Sequence, residues 1–350
     1  MDILSKLNSI FDTLTTADCV AVDYGTAMLR LGILGKGIVL REPSYIALNS
    51  KNGSYLYYGQ DAYDIFGKTP PYLQIIKPML HSVVSDFDAA SALLTELGKL
   101  AVFPYYSNQK FIRRSLAAYS IVPTSATEVQ QLALTDVLIK SGFRSSFLIP
   151  KPIAVASGAG FDVFSRDPSF VIDMGAGLFE IAIIIMGGVV QSKVIKEAGI
   201  HMDKQVQNYL KFKSGIVVGD QTAEDVKIKL LSFDDTKDSL VVRGKSIENN
   251  LPKECKVTRK EIMEALSSHI NRLIEGIKEI IEIAPPEVID GIIKSGMTLT
   301  GAMANIPGLA TYISEATEFK VNVAPRPEDA SIIGLMKLLD QKDMLQKIVI

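Results

Sequence analysis

The chain has 350 residues, of which 47% are hydrophobic and 22% charged, and its formal net charge is −2. This length predicts about two domains, and the near-neutral charge gives no indication of a nucleic-acid partner. The two cysteines and three scattered histidines have neither metal-binding nor disulfide spacing. No run approaches the roughly 20 apolar residues that span a bilayer, and no signal peptide is recognisable, so a reducing cytoplasm is the expected location.

The N-terminal segment Met1–Leu14 places apolar side chains at helical spacing and predicts an amphipathic helix. Its polar face carries more acids than lysines, whereas helices that lie in a membrane interface usually carry a basic face. We therefore expect it to pack on the body of the protein or on another subunit, with the membrane surface as the alternative. The apolar segment Val102–Tyr106 raises a similar choice, and burial is favoured over a partner or membrane contact.

A hairpin with a glycine turn is predicted over Val20–Leu40: a strand ends at Asp23, turns at Gly25 and continues in a second strand. Helices and strands alternate after it, which predicts a mixed α/β sheet. The predicted elements are a helix at 60–66, a strand at 83–84, a helix from 86 to about 100, a strand at 116–122, a helix at 127–141, a strand at 146–149 and a helix at 154–160.

The same hairpin recurs over Phe170–Val190, where a strand ends at Asp173 and turns at Gly175-Ala176-Gly177. Glycines let backbone N–H groups approach an anion, and an acid at the strand end can hold the magnesium that accompanies a nucleotide. A single such turn is equally typical of an ordinary hairpin. Two copies indicate an internal duplication, with two similar lobes facing each other across a nucleotide.

The elements after the second hairpin again alternate. They are a helix at 199–210, a helix that opens with Thr222 as its N-cap, strands at 240–244 and 256–258, a helix at 260–283 ended by Pro285-Pro286, a strand at 292–301, a helix from about 305, a strand at 321–323 and a last helix from 327.

This order of motifs resembles the actin-like ATPase superfamily, and the stretches between the phosphate motifs are similar to the bacterial MreB family. The segments that carry the resemblance are GKGIVLREPSYIA (35–47), YGQDAYDIFGKTP (58–70), SDFD (85–88), VVGDQTAEDVKIKL (217–230), VVRGKSIENNLP (241–252) and LTGAMANIPGL (299–309). The resemblance extends from about residue 18 to residue 338.

The resemblance implies an α/β, actin-like fold, that is, a duplicated ribonuclease H-like fold with two lobes in four subdomains around a cleft for ATP or ADP with Mg²⁺. Lobe I would comprise 1–150 and 325–350, with a small subdomain at about 33–72. Lobe II would comprise 151–324, with a small subdomain at about 195–252. It also implies a filament of the chain itself, with paired protofilaments at the inner face of the cell membrane. The implied role is cell shape, or helicity and swimming, and other cytoskeletal proteins are conceivable partners.

The resemblance also implies which residues form the site. Asp23 and Asp173 match acids that hold magnesium through water. The nucleotide-binding positions are matched by Gly25, Thr26, Ala27, Met28, Gly175, Ala176, Gly177, Glu224, Lys227, Gly301, Ala302 and Met303. Met28 replaces an asparagine of the family and Ala302-Met303 replace two glycines, so Met303 is expected to narrow the pocket or pack on the adenine face.

Two departures fall at positions used for hydrolysis. Lys151 stands where the family has a glutamate, and Leu178 stands where it has a threonine. A leucine cannot hydrogen-bond the attacking water, and a lysine offers three donors and no acceptor. We therefore expect weak or absent ATP hydrolysis, with Lys151 against the γ-phosphate. The alternative is that Lys151 points to solvent.

Two other functions stay open at this stage. An active ATPase would need another residue to orient the water, and Glu180 and Gln130 are the candidates, although Glu180 is expected to face away from the phosphate side of its hairpin. A small-molecule kinase on the same fold would need a substrate acid or base, and the sequence shows no second constellation of that kind.

Overall fold

A computed structural model describes residues 19–106, 116–234 and 238–350. The chain divides into two compact units: the first runs to Phe164 and resumes over Asp329–Ile350, and the second is Ser165–Glu328. The lobe boundaries at 150 and 325 and the two small subdomains remain predictions. The helix predicted over Met1–Leu14 lies outside the described residues. Among the residues that are described, no helix has the length and apolar character needed to cross a membrane.

The first unit alternates strands and helices. Its strands are β1 (Cys19–Tyr24), β2 (Met28–Ile33), β3 (Gly37–Pro43), β4 (Ile46–Asn49), β5 (Ser54–Tyr58), β6 (Leu73–Ile76), β7 (Met79–Leu80), β8 (Val83–Val84), β9 (Ala117–Val122) and β10 (Ser145–Pro150). Its helices are α1 (Gln60–Asp64), α2 (Phe87–Ala101), α3 (Glu128–Lys140), α4 (Lys151–Ala159), α10 (Ala330–Leu339) and α11 (Lys342–Leu345).

A five-stranded sheet in the order β3-β2-β1-β9-β10 forms the centre of this unit. Strand β1 pairs antiparallel with β2 and parallel with β9, and β9 pairs parallel with β10. Every residue of β1 and β9 is buried, as expected for strands that are covered on both faces. Helix α4 packs on α10, where Gly158 brings the two backbones together: a Cβ on it would lie 1.8 Å from the carbonyl oxygen of Ala330.

A smaller sheet in the order β5-β4-β6 lies within the first unit and has its own apolar cluster, which includes Tyr45, Ala47, Ala62 and Leu73.

The apolar segment Val102–Tyr106 is partly buried. Val102 is fully buried and Tyr106 packs against the core of the first unit. Tyr105 is 55% exposed, within a 3₁₀-helix at Phe103–Tyr106, so the expected burial does not extend to every aromatic ring of the segment.

The second unit repeats the alternation. Its strands are β11 (Ser169–Met174), β12 (Phe179–Ile185), β13 (Gly188–Ile195), β14 (Ile216–Val217), β15 (Ser239–Ser246), β16 (Pro252–Thr258), β17 (Met297–Thr300) and β18 (Val321–Val323). Its helices are α5 (Gly199–Tyr209), α6 (Asp220–Leu230), α7 (Arg259–Ile283), α8 (Pro286–Ser295) and α9 (Leu309–Thr317).

The central sheet of the second unit has the order β13-β12-β11-β17-β18. Strand β11 pairs antiparallel with β12 and parallel with β17, just as β1 pairs with β2 and β9. The first strand of each unit is therefore central, its hairpin partner lies on one side and a later parallel strand lies on the other. This shared topology confirms the internal duplication that the two hairpins predicted.

Two predicted boundaries in the second unit are wrong. Helix α6 begins at Asp220 after Gly219, and Thr222 lies inside it instead of capping it. Residues 292–295 belong to helix α8, so the strand predicted at 292–301 is only Met297–Thr300. Helix α7 ends at Ile283, before the two prolines, and Pro286 is the first residue of α8, because the fixed φ and missing N–H of proline suit the first turn of a helix.

Candidate functional site

The first predicted phosphate turn joins β1 to β2. The N–H of Gly25 donates to the carbonyl oxygen of Met28 at 2.9 Å and closes the turn. Ser44 holds the turn from outside, since its hydroxyl donates to the carbonyl of Gly25 at 2.9 Å and its N–H donates to that of Ala27 at 2.8 Å. These hydrogen bonds within the protein fix the carbonyl groups of the turn. The turn therefore loses less conformational entropy when a ligand binds to it.

Thr26, the buried residue of the same turn, supports a neighbouring loop. Its Oγ1 accepts a hydrogen bond from the N–H of Ser82 at 2.8 Å. Ser82 and His81 both have positive φ, 59° and 50°, a conformation that costs residues other than glycine roughly 1 kcal/mol or more. The Thr26 hydroxyl thus helps to hold a strained loop beside the turn.

Asp23, at the end of β1, belongs to a network of ion pairs between two aspartates and two arginines. Its Oδ2 is 3.2 Å from Nη1 of Arg30, which stands directly opposite it on β2, and accepts a hydrogen bond from the Ser331 hydroxyl at 2.6 Å. Arg30 also lies 3.4 Å from Asp329, and Arg41 pairs with the same carboxylate at 2.5 Å. Arg30 was not among the predicted site residues, although its place opposite Asp23 can be counted from the turn.

The second predicted phosphate turn, between β11 and β12, closes in the same way. The N–H of Gly175 donates to the carbonyl oxygen of Leu178 at 3.1 Å. The start of α5 packs on this turn: the N–H of Ile200 donates to the carbonyl of Ala176 at 2.8 Å, and that of Gly199 to Gly175 at 3.4 Å. Leu178, which stands where the family has a threonine, is 1% exposed and occupies an apolar core position.

Asp173 and Glu180 flank this turn, whose last glycine, Gly177, is also buried. Asp173 is 6% exposed and accepts a hydrogen bond from the Thr300 hydroxyl at 3.0 Å. Glu180 pairs directly opposite Asp173 and is 1% exposed. Side chains directly opposite each other on antiparallel strands project to the same face, so Glu180 shares a sheet face with Asp173, and its orientation away from the phosphate side stays a prediction.

Lys227 and Glu224 lie one turn apart on α6. Lys227 is 8% exposed, and its ammonium donates to the carbonyl of Gly199 at 3.0 Å and pairs with Asp203 at 2.7 Å. Glu224 is half-buried. The structure thus brings Lys227 to the start of α5, which packs on the second phosphate turn.

Gly301 follows β17 with φ of +80°. A Cβ on Gly301 would lie 2.4 Å from the carbonyl oxygen of Met174, so only glycine fits against the end of β11. Ala302 and Met303 begin a 3₁₀-helix, and Met303 is 8% exposed in the core of the second unit. A Cβ on Gly199 would lie 3.4 Å from the sulfur of Met303, so this side chain lies near the turn and α5.

Lys151 is the half-buried first residue of α4 and directly follows Pro150, the last residue of β10. A cation there meets the positive end of the helix dipole. Gln130, a candidate for orienting water, instead forms a capping box with Thr127 at the start of α3. That pairing occupies the side-chain oxygen of Gln130, which accepts from the N–H of Thr127 at 3.0 Å.

Each unit therefore carries, at the end of its central strand, a buried carboxylate and a turn closed by one backbone hydrogen bond. Together with the shared strand order, these features define an actin-like fold. The MreB/Mbl protein family profile matches residues 17–347. The chain belongs to the MreB/Mbl family.

Named relatives cover nearly the whole chain. The cell shape-determining protein Mbl of Bacillus subtilis strain 168 is 34% identical over 94% of this chain and 97% of its own. The cell shape-determining protein MreB of Escherichia coli K12 is 32% identical over 93% of this chain and 94% of its own. MreB5 of Spiroplasma citri, solved bound to ADP, superposes with a TM-score of 0.86 at 28% identity, over 94% of this chain and 98% of its own.

Proposed function

We propose that this chain binds ATP or ADP with Mg²⁺ and assembles with copies of itself into filaments that determine cell shape. The observation that carries the proposal is the repeated turn, closed from Gly25 to Met28 and from Gly175 to Leu178 at 2.9 and 3.1 Å. The names of the Mbl and MreB relatives support the role in cell shape. MreB5 of Spiroplasma citri, solved bound to ADP and to AMPPNP, supports the nucleotide.

The acids of both hairpins suit magnesium, which prefers carboxylate oxygens. The Thr300 hydroxyl approaches one oxygen of Asp173, and Arg30 and Ser331 both engage Oδ2 of Asp23. When bound, the ion would neutralise phosphate charge. Asp23 and Asp173 would hold it through water, and Arg30 would already offset part of the negative charge of Asp23.

We propose that ATP hydrolysis is weak or absent. The buried Leu178 contributes no hydroxyl that could polarise a water molecule. Lys151, the first residue of α4, offers hydrogen-bond donors and no acceptor, so the charged side chain cannot take a proton from a water molecule. Those donors suit a γ-phosphate, which supports a lysine that retains ATP instead of activating water.

An active ATPase is the second candidate, and the position of Glu180 favours it. Glu180 shares a sheet face with Asp173, so a carboxylate that could accept a proton lies beside the proposed magnesium ligand. Replacement of Glu180 by glutamine discriminates the two candidates. A rate of phosphate release that is measurable in the wild type and falls at least tenfold in E180Q would assign hydrolysis to Glu180.

Sedimentation and phosphate release test the proposal together. Purified protein is pelleted with ATP, with ADP and without nucleotide, the pellets are inspected by electron microscopy, and phosphate is measured in the same samples. We expect filaments that depend on nucleotide and little phosphate release. D173N should lose the response to nucleotide. Absence of filaments in every condition would favour the small-molecule kinase, and rapid release from the wild type would refute weak hydrolysis.

We further propose that the filaments lie in the cytoplasm at the inner face of the cell membrane. The family resemblance supports this placement, and Met1–Leu14 is the segment for which a membrane contact stays open as an alternative. Co-sedimentation with anionic liposomes, comparing the full chain with one that lacks Met1–Leu14, tests it. Equal binding by both would exclude the N-terminal segment as the membrane contact. Helicity, swimming and cytoskeletal partners other than the chain itself stay predictions of the resemblance.

A further inference from the structure

Three potential metal ligands converge within the second unit, apart from the acids of the phosphate turns. They are Glu197, just before α5, His201 in the first turn of α5, and His269 in the middle of α7. One ligand atom from each lies within 4.8 Å of the other two. Nδ1 of His201 and Nε2 of His269 are 2.8 Å apart, so the two rings share a single hydrogen between facing nitrogens.

The place of His269 is unusual for a polar ring. It is 3% exposed and lies on the buried face of α7, among Leu266, Ile270 and Leu273. A buried imidazole needs partners for both nitrogens. Here the Ser268 hydroxyl lies 3.4 Å from Nδ1, and His201 meets Nε2.

These contacts fit a metal ligand. When Nδ1 of His269 carries its proton toward Ser268, Nε2 presents a lone pair, which is the usual arrangement of a histidine that binds metal with one nitrogen and is oriented through the other. Burial among apolar side chains disfavours the charged imidazolium form of His269, and metal binding requires the neutral ring.

Arg272 is the charged neighbour of this cluster. It lies on the same helix as His269 and forms an ion pair with Glu197. A carboxylate has two oxygens and accepts from several partners, so Glu197 can keep Arg272 on one oxygen and offer the other to a metal. Hydrogen-bonded outer partners of this kind orient carboxylate ligands in metal sites.

We propose that Glu197, His201 and His269 bind Zn²⁺, with a water molecule in the fourth position. Two imidazole nitrogens and one carboxylate oxygen are a ligand set that zinc accepts at about 2.0–2.2 Å. Binding displaces the hydrogen between the rings, and the proton of His201 moves from Nδ1 to Nε2, so no net proton is lost. The two nitrogens must separate from 2.8 Å to roughly 3.3 Å in a tetrahedral site. The exposed ring of His201 is the one free to shift.

Zinc bound in this way would join α5 to α7 next to the second phosphate turn. The N–H of Ile200, between Glu197 and His201, donates to the carbonyl of Ala176 in that turn at 2.8 Å. A zinc ion that holds Glu197 and His201 in place would therefore stabilise the turn that the hydrogen bond from Gly175 to Leu178 closes. This consequence rests on the proposed nucleotide binding, whereas the zinc site itself does not.

Calorimetric titration of the metal-free full chain with Zn²⁺ tests the site. Excess Mg²⁺ in the buffer occupies sites made of oxygen ligands, and no nucleotide is present, so failure of nucleotide binding cannot affect the result. We expect one zinc ion per chain in the wild type, and affinity at least tenfold weaker in H201Q and E197Q. The melting temperature of the wild type should rise by about 5 °C at a zinc concentration roughly a hundredfold above the dissociation constant.

Two control variants make the result specific. His81, the remaining histidine, lies in the first unit, so H81Q should bind zinc like the wild type. C255S should do the same, and the cobalt-substituted wild type should lack thiolate charge-transfer absorption. Unchanged binding in H201Q and E197Q, or loss of binding in H81Q or C255S, would overturn the proposal. Circular dichroism of each metal-free variant confirms that it is folded.

Discussion

Asp329 is the most buried charge in the network behind the first phosphate turn. It is 1% exposed and lies between Arg30 and Arg41, whose side chains are 13% and 44% exposed. Removal of one member of a buried ion pair leaves its partner uncompensated and typically costs about 3–5 kcal/mol. The partial exposure of Arg41 reduces this, so we expect D329N to lower the free energy of unfolding by about 2–3 kcal/mol in urea denaturation.

An exposed pair in the same unit provides the control. Glu96 pairs with Lys99 at 2.5 Å, and their side chains are 40% and 52% exposed. Solvent screens such pairs, so E96Q should change the free energy of unfolding by at most about 0.5 kcal/mol. If D329N and E96Q had equal effects, the buried network would contribute nothing beyond a surface pair.

Gly301 packs closely against the end of β11, next to the second phosphate turn, and this packing can be tested by substitution. Its φ of +80° and the 2.4 Å approach of a Cβ to the Met174 carbonyl both oppose a side chain. We expect G301A to lower the free energy of unfolding by about 2–4 kcal/mol, measured by urea denaturation. Gly53 has φ of +72° with nothing near its Cβ position, so G53A should show only the backbone cost of about 1–2 kcal/mol. An equal loss in both variants would show that the contact with Met174 relaxes freely.

The residues of the site could be predicted only in part. Asp23, Asp173 and the glycine turns follow from local pattern, because a strand, an acid and a glycine turn lie within one short segment. Arg30 and Glu180 lie opposite the two acids through strand pairing, and the sequence pattern predicted neither of these pairings. Cross-strand neighbours depend on the register of the hairpin, which one or two residues at the turn decide.

At the scale of elements, the contact of α4 with α10 depends on glycine. A Cβ on Gly158 would lie 1.8 Å from the carbonyl oxygen of Ala330, and backbone atoms cannot move aside as a flexible side chain can. We expect G158A to force the helices apart, to lower the free energy of unfolding by about 2–3 kcal/mol and to lower the melting temperature.

Gly98 is the matched control for this prediction. It lies inside α2 with nothing within 4 Å of its Cβ position. Alanine is the better helix former, so G98A should stabilise the protein by about 0.5–1 kcal/mol. Opposite signs for G98A and G158A would separate helix propensity from helix packing. A stabilising G158A would contradict the close packing of α4 on α10.

Element types were easier to predict than element ends. The paired hairpins combine β-branched runs with glycine turns, and these local signals agree with the final sheets. Helix α8 was missed because Pro285-Pro286 indicated only a helix end, and the apolar run from Ile292 is as typical of a strand as of a helix. Whether this run forms a helix or a strand depends on how it packs against the rest of the second unit, and the local sequence does not contain that information.

At the scale of the whole molecule, the two copies of the hairpin have kept their topology and diverged in charge. Both turns close with the same backbone hydrogen bond, and both sheets have the same strand order. The first acid faces Arg30, whereas the second faces Glu180. The duplication therefore accounts for the shared fold, and the residue opposite each acid decides how much negative charge each hairpin presents to a cation.

Lys151 and Leu178 are the two positions at which the chain departs from the family's hydrolysis residues, so restoration of hydrolysis should need both substitutions. We expect K151E together with L178T to raise phosphate release from ATP at least tenfold, because a glutamate can accept the proton of a water molecule and a threonine hydroxyl can orient it. Each single substitution should raise the rate of phosphate release by less than an equal share of the gain in the double variant, since the effects of groups that act together are not additive. L178V, which keeps the buried position apolar, is the matched control and should leave the rate unchanged. If the double variant is folded by circular dichroism and binds nucleotide but releases phosphate no faster than the wild type, these two positions do not limit hydrolysis.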